Sequence, residues 1–231
     1  MFFDPLYLLM VLPAIIFSIW ASSRVKSTFK RYSEQRSRNG MTGYDAARRV
    51  LDANGLQNVK IEHVAGSLTD HYDPKSNIIR LSDAVYDNTS TAAIGVAAHE
   101  AGHALQYAQN YAPIKIRNAI IPITRIGSNL SFPLVFIGLL LAQSSQVYLN
   151  IAYIGVILFA TVALFQLVTL PTEYNASSRA VEAIESSGIL TIEEVDGARR
   201  MLSAAALTYV AALATSLVQL LYLFLRVNRR R

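Results

Sequence analysis

The sequence predicts a mainly α-helical, multi-pass membrane protein: about four transmembrane helices plus an α+β region with a small β-hairpin or sheet. Three observations lead there. Hydrophobic residues make up 52% of the 231 and charged ones only 16%, a balance shifted toward membrane proteins. Four apolar stretches without a single charge approach or reach the length of a bilayer crossing. Between the first and second of them lies a polar region in which alternating, turn-forming and helix-forming segments follow one another.

Leu6 to Ala21 and Ile126 to Ala142 are near the short limit of the roughly 17–25 residues that a crossing needs. Leu149 to Leu170 and Leu202 to Leu225 are long enough. The first span reads as an uncleaved anchor rather than a signal peptide. No basic residue precedes it, Phe2-Phe3-Asp4 being the whole leading segment, and Ala21-Ser22-Ser23 is a poor cleavage site before a basic run.

Lysines and arginines at the span ends set the orientation. Arg24, Lys26, Lys30, Arg31, Arg36 and Arg38 follow the first span, and Lys115, Arg117 and Arg125 precede the second. Arg179, Arg199 and Arg200 lie between the third and fourth, whereas the link from Gln143 to Asn150 has no charge. The positive-inside rule therefore puts residues 22–125 and 171–201 on the cytoplasmic side of a cell membrane. Arg226, Arg229, Arg230 and Arg231 run against that rule if all four spans cross. These juxtamembrane residues account for the net charge of +5, so nucleic acid is not an expected partner. Cysteine is absent, which excludes disulfides and thiolate metal sites.

The polar region reads in order. Thr42-x-x-Asp45 is a capping-box-like start for a helix over Tyr44 to Ala53, stopped by Asn54-Gly55. Val59 to Val64 alternates as a strand. His71-Tyr72 and Asn77 to Leu81 flank the turn Asp73-Pro74-Lys75-Ser76, which predicts a hairpin. Thr91 to Gln109 reads as a helix with Ser90 as N-cap. Gly95 and Gly102 weaken it by about 1 kcal/mol each relative to Ala, a cost that makes sense where a backbone or ligand packs close.

That last helix carries His99-Glu100-Ala101-Gly102-His103. Imidazoles at i and i+4 reach one metal ion from one helix face. Glu100 between them is placed to take a proton from the attacking water and return it to the leaving amine. Buried and unpaired, such groups are expensive, and a divalent cation removes that expense; the alternative is a plain His–Glu hydrogen-bond cluster. A small sheet leading into such a helix is a zincin arrangement. A catalytic zinc site needs a third protein ligand. The metzincin pattern is absent, because Gln106 and Gln109 stand where Gly and His belong. His63 and His71 read as surface or substrate-side residues. Glu173 is the better choice: it follows Pro171 at the end of the third span and opens a helical segment from Glu173 to Ala180. The hairpin of the second and third spans returns it toward His99 and His103. Its alternative role is a helix N-terminal carboxylate favoured by the macrodipole.

Tyr72-Asp73-Pro74, Ala98 to Gln106 and Pro171 to Ser177, with the N-terminal anchor, resemble the membrane zinc metallopeptidases of the YugP type, or neutral zinc metallopeptidase family 2. More distantly the chain is similar to HtpX-like gluzincin membrane proteases. That resemblance implies a Glu beyond a transmembrane hairpin as third zinc ligand, with an Asp four residues later supporting a ligand His. Ser177 stands there in this chain, a departure, and Asn175 is a substitute.

The resulting expectation is a Zn²⁺-dependent endopeptidase acting on membrane or unfolded proteins near the bilayer. His99, His103 and Glu173 are the ligands and Glu100 the base. Asn175, Ser177, Arg179 and His71 are supporting or oxyanion candidates, with Tyr174 also a candidate oxyanion donor. Residues 1–22 are the N-terminal anchor, 23–125 the catalytic region, 126–170 a transmembrane hairpin, 171–201 the second half of the metal site, and 202–231 the last span with its basic tail. A homo-oligomer or a membrane protein complex is compatible with this layout. The rivals are a membrane scaffold with a structural zinc site, against which the intact Glu100 argues, and a metal transporter, against which the charge-free spans argue.

Overall fold

The computed structural model describes residues 4–230; Phe2 and Phe3 ahead of the first span and Arg231 of the basic tail lie outside them. The elements are α1 (Pro5–Ser33), α2 (Gly43–Ala53), β1 (Lys60–Val64), β2 (His71–Asp73), β3 (Ile78–Ser82), α3 (Thr91–Ala108), α4 (Ala112–Leu141), α5 (Gln146–Ser186) and α6 (Ile192–Asn228). The chain is mainly helical and falls into two compact units. One comprises the described parts of Met1–Ala21, Pro113–Pro171 and Thr208–Arg231, the other Ser22–Ala112 and Thr172–Leu207.

The first unit is made of the apolar stretches. Its four helices are long and apolar enough to cross a membrane, and the two stretches that looked short lie within helices of 29 and 30 residues. Large apolar side chains face outward, Leu9 at 76% exposure, Leu140 at 67% and Ile157 at 68%. Water does not tolerate such a face over a large area, whereas lipid does. Inside, Val11, Val135, Ala152, Tyr222 and Leu223 form a core. Gly138 lets α4 and α5 touch: a Cβ there would stand 2.6 Å from the carbonyl of Tyr148. Successive helices alternate in direction. The Ser18 and Thr215 hydroxyls are 3.0 Å apart, and Asp4 accepts from Arg226 at 3.0 Å and from the Tyr222 hydroxyl at 3.2 Å. The Tyr153 hydroxyl reaches Asn228 at 3.4 Å. The tail thus lies at the end of this unit that holds Asp4 and the start of α5, as four full crossings require.

In the second unit, Thr42 caps α2 with the reciprocal box, accepting from the Asp45 N–H while the Asp45 carboxylate accepts from the Thr42 N–H. The sheet order is β1-β3-β2. β2 and β3 form the antiparallel pair expected of the hairpin. The pairing of β1 parallel to β3, Lys60 opposite Ile78 through Val64 opposite Ser82, was not expected from sequence. Asp73 organises the turn, accepting from the Lys75 N–H at 2.9 Å and the Ser76 hydroxyl at 2.7 Å. The Ser76 hydroxyl above all, with the Lys75 amide and Arg80, outweighs desolvation and holds the Asp73 carboxyl at about 2.

Ser90 caps α3, its hydroxyl accepting from the Ala93 N–H. Alanines 92, 93, 97, 98 and 101 on α3 are all buried, because small side chains let neighbours surround the helix. A Cβ on Gly102 would lie 2.6 Å from the Ala176 carbonyl oxygen of α5, and one on Gly95 3.3 Å from the Ala198 Cβ of α6. One expectation needs correcting: Glu173 does not open a helix. α5 runs unbroken through Pro171. A proline inside a helix costs about 3 kcal/mol, and the burial of Ala176, Ala180 and Ile184 beyond it holds the next turns helical.

Candidate metal centre

α3 supplies two histidines from one face, and α5 supplies a carboxylate across from them. One ligand atom each from His99, His103 and Glu173 lies within 4.8 Å of the others. The Nε2 atoms of His99 and His103 are 3.3 and 3.5 Å from the same Glu173 oxygen, Oε2. His103 and Glu173 are buried, and His99 is half-buried. The close passage of Gly102 against Ala176 is what brings α5 near enough for this.

The other ring nitrogens are held from behind. His99 Nδ1 is 3.1 Å from the Ser177 hydroxyl. His103 Nδ1 is 3.0 Å from Gln106 Oε1. Gln106 is fully buried, and its amide nitrogen donates to the Thr172 carbonyl at 2.7 Å and to Asn175 Oδ1 at 3.0 Å. A carbonyl only accepts, so the amide orientation is fixed and Oε1 must accept from His103 Nδ1–H. The His103 Nε2 lone pair is thereby reserved for whatever sits in front of it. Arg179 donates to Asn175 Oδ1 at 2.7 Å and to Gln109 and so buttresses the network.

Electrostatics follow the geometry. Burial disfavours the charged His103, but the hydrogen bond and charge of Glu173, with the charge of Glu100, outweigh it and raise its pKa. Burial likewise disfavours the Glu173 carboxylate, yet His103 and His99 hold its pKa well below the usual range. Glu100 is buried, and its side chain forms no hydrogen bond or ion pair among the described residues. Two imidazoles and a carboxylate converging on one point, with Nδ1 atoms turned away, are a donor set that fits a zinc-type cation and leaves a fourth position open.

The structure brings together His99, Glu100, His103, Glu173, Asn175, Ser177 and Arg179. It does not bring in the other histidines. His71 lies exposed on β2 with Nδ1 2.9 Å from the Thr69 carbonyl oxygen, and His63 pairs with Asp83 at 2.7 Å. Ser177 touches His99 directly, while Asn175 reaches His103 only through Gln106. Gln106 was missed as a supporting residue. Its signal was present: three residues past His103, it shares that helix face.

No solved structure matches the chain. The "Putative membrane protease YugP" of Bacillus subtilis (strain 168) is 46% identical over 216 residues, covering 94% of each chain. A family model described as "Putative neutral zinc metallopeptidase" matches residues 7–228. On that coverage, and with four membrane-length helices and a His–His–Glu cluster in hand, the chain belongs to this family of neutral zinc metallopeptidases.

Proposed function

We propose that the chain is a gluzincin-like, membrane-embedded zinc endopeptidase that cleaves membrane or unfolded proteins near the bilayer, with the metal-binding unit facing the cytoplasm. The observation that carries this reading is the convergence of His99 Nε2, His103 Nε2 and a Glu173 oxygen beside a buried Glu100 whose side chain has no hydrogen-bond partner among the described residues. A structural site has no use for a free carboxylate there.

Bound zinc supplies a Lewis acid that polarises the scissile carbonyl and acidifies a water. His99, His103 and Glu173 hold the ion, and Ser177 and Gln106 fix the two rings. Glu100 accepts the proton as the water oxygen forms its bond to the carbonyl carbon, then donates it to the amine nitrogen as the C–N bond breaks. Arg179 is engaged by Asn175 and Gln109 and acts as a buttress.

Two charge-neutralising variants test the reading by metal content as well as turnover. Glu173→Gln leaves two imidazoles and a weak amide oxygen, so zinc affinity and activity fall together. Glu100→Gln keeps zinc and loses proteolysis. Wild-type zinc affinity in Glu173→Gln would move the third ligand elsewhere, and near-normal proteolysis by Glu100→Gln would remove the mechanism.

A further inference from the structure

A second polar feature of the same unit takes no part in the metal site. α1 and α6, with Tyr174 of α5, line a cleft of about 760 Å³. From α1 it takes Arg24, Ser27, Thr28 and Arg31, spaced along one helix face. From α6 it takes Asp196, Arg199, Arg200, Ser203 and Leu207, again on one face. The arginines differ in how they are neutralised. Arg199 is paired with Glu185, and Arg200 with Asp196 at 2.7 Å. Among the described residues, Arg24 and Arg31 have no carboxylate within ion-pair distance; Arg31 only leans on the Tyr32 ring at 5.6 Å. Two unpaired guanidiniums in one cleft repel each other and favour an anion between them.

The position of these residues in the chain says which anion. The apolar stretch of α1 ends at Ala21, and that of α6 begins at Leu202. Arg24 and Arg200 therefore stand within one helical turn of the apolar ends, at the depth of lipid headgroups rather than of bulk water. Leu207 supplies an apolar wall, and the Thr28 and Ser203 hydroxyls supply donors beside the guanidiniums. We propose that this cleft binds the headgroup phosphate of an anionic phospholipid, with Arg24 and Arg31 as its charge partners. The proposal stands independently of the peptidase chemistry.

The test uses the full chain in a neutral detergent, with phosphatidylglycerol or phosphatidylcholine added as mixed micelles and bound lipid read by native mass spectrometry. Wild type is expected to retain phosphatidylglycerol in preference to phosphatidylcholine. In the double variant Arg24→Gln/Arg31→Gln, phosphatidylglycerol affinity is expected to fall about thirtyfold, from about fivefold per guanidinium removed, with phosphatidylcholine unaffected. An unchanged melting temperature reports that the variant is folded. The pair Arg24→Lys/Arg31→Lys keeps the charge and is expected to keep most of the binding, which tests the same point if the glutamines disturb folding. Undiminished phosphatidylglycerol binding by the glutamine variant overturns the proposal. So does an equal loss in Arg49→Gln, an exposed arginine on α2 outside the cleft. Displacement of the lipid by equimolar inorganic phosphate or oligoglutamate overturns it too, since the cleft is then a general anion site.

Discussion

Replacing Gln106 with Met tests whether the buried amide positions His103. Methionine matches the length and fills the space, but accepts no useful hydrogen bond from His103 Nδ1. The Thr172 carbonyl loses its side-chain donor, while Asn175 keeps Arg179. A buried donor left without its acceptor costs about 1–3 kcal/mol. That range corresponds to about five- to 150-fold in a binding constant and brackets the roughly ten- to hundredfold by which loss of a ligand's outer partner weakens metal affinity. Zinc affinity, measured by competition with a chromophoric chelator, is therefore expected to fall by one to two orders of magnitude. Gln106→Glu separates positioning from packing. It restores an acceptor for His103 but sets a carboxylate oxygen against the Thr172 carbonyl and Asn175 Oδ1. Zinc affinity should return toward wild type while thermal stability does not. A Gln106→Met protein that binds zinc within about threefold of wild type would refute the reasoning, because an affinity change that small is below the range an outer partner of a metal ligand controls.

Other perturbations sort the supports of the site. Ser177→Ala is expected to lose less zinc affinity than Gln106→Met in the same chelator assay, since Ser177 is only part-buried and water replaces its hydroxyl. Gly102→Ala drives a Cβ to 2.6 Å from a backbone oxygen and should lower stability by about 1–3 kcal/mol together with zinc content, as α5 is pushed from α3. Gly95→Ala meets only a methyl at 3.3 Å and should be near neutral, helix propensity offsetting the contact; equal damage from both would contradict the close approach, with melting temperature as the readout. Zinc binding should release protons, seen calorimetrically as a buffer-dependent heat, because the raised pKa of His103 means a proton must leave before its nitrogen can ligate. Zinc affinity accordingly weakens as pH falls. Asp73 has a folded pKa of about 2, below its unfolded value. Its contribution is thus present above about pH 4 and lost as pH falls toward about 2. The melting-temperature difference between wild type and Asp73→Asn should shrink over that window.

The elements with strong local chemistry were legible in the sequence. Thr42 and Asp45, Ser90, and Asp73 to Ser76 each satisfy backbone donors within a few residues, so their geometry is written where they stand. Charge-free apolar runs likewise announced four membrane helices. The parallel pairing of β1 with β3 was not legible, because strand alternation shows which face is buried but not which neighbour supplies the hydrogen bonds. Glu173 was found as a candidate, but its surroundings were misread: Pro171 suggests a helix boundary, and only the burial of Ala176, Ala180 and Ile184 overrides it. Gln106 was not legible as a support, because a glutamine that holds a ligand's far nitrogen has no spacing rule of its own.

The convergence of His99 and His103 with Glu173 has a consequence for how the protein is made. The histidines belong to α3 and the carboxylate to α5, so translation delivers two of the three groups well before the last. A chain still emerging from the ribosome carries the His-Glu-x-x-His segment through the synthesis of all of α4 and most of α5 with no Glu173 to complete the cluster. Ala198, against which Gly95 packs, arrives later still. On the proposed chemistry, hydrolytic competence is therefore withheld until the third apolar stretch has been made. On that chemistry the order of the sequence itself keeps a half-made chain from hydrolysing itself or its neighbours during membrane insertion.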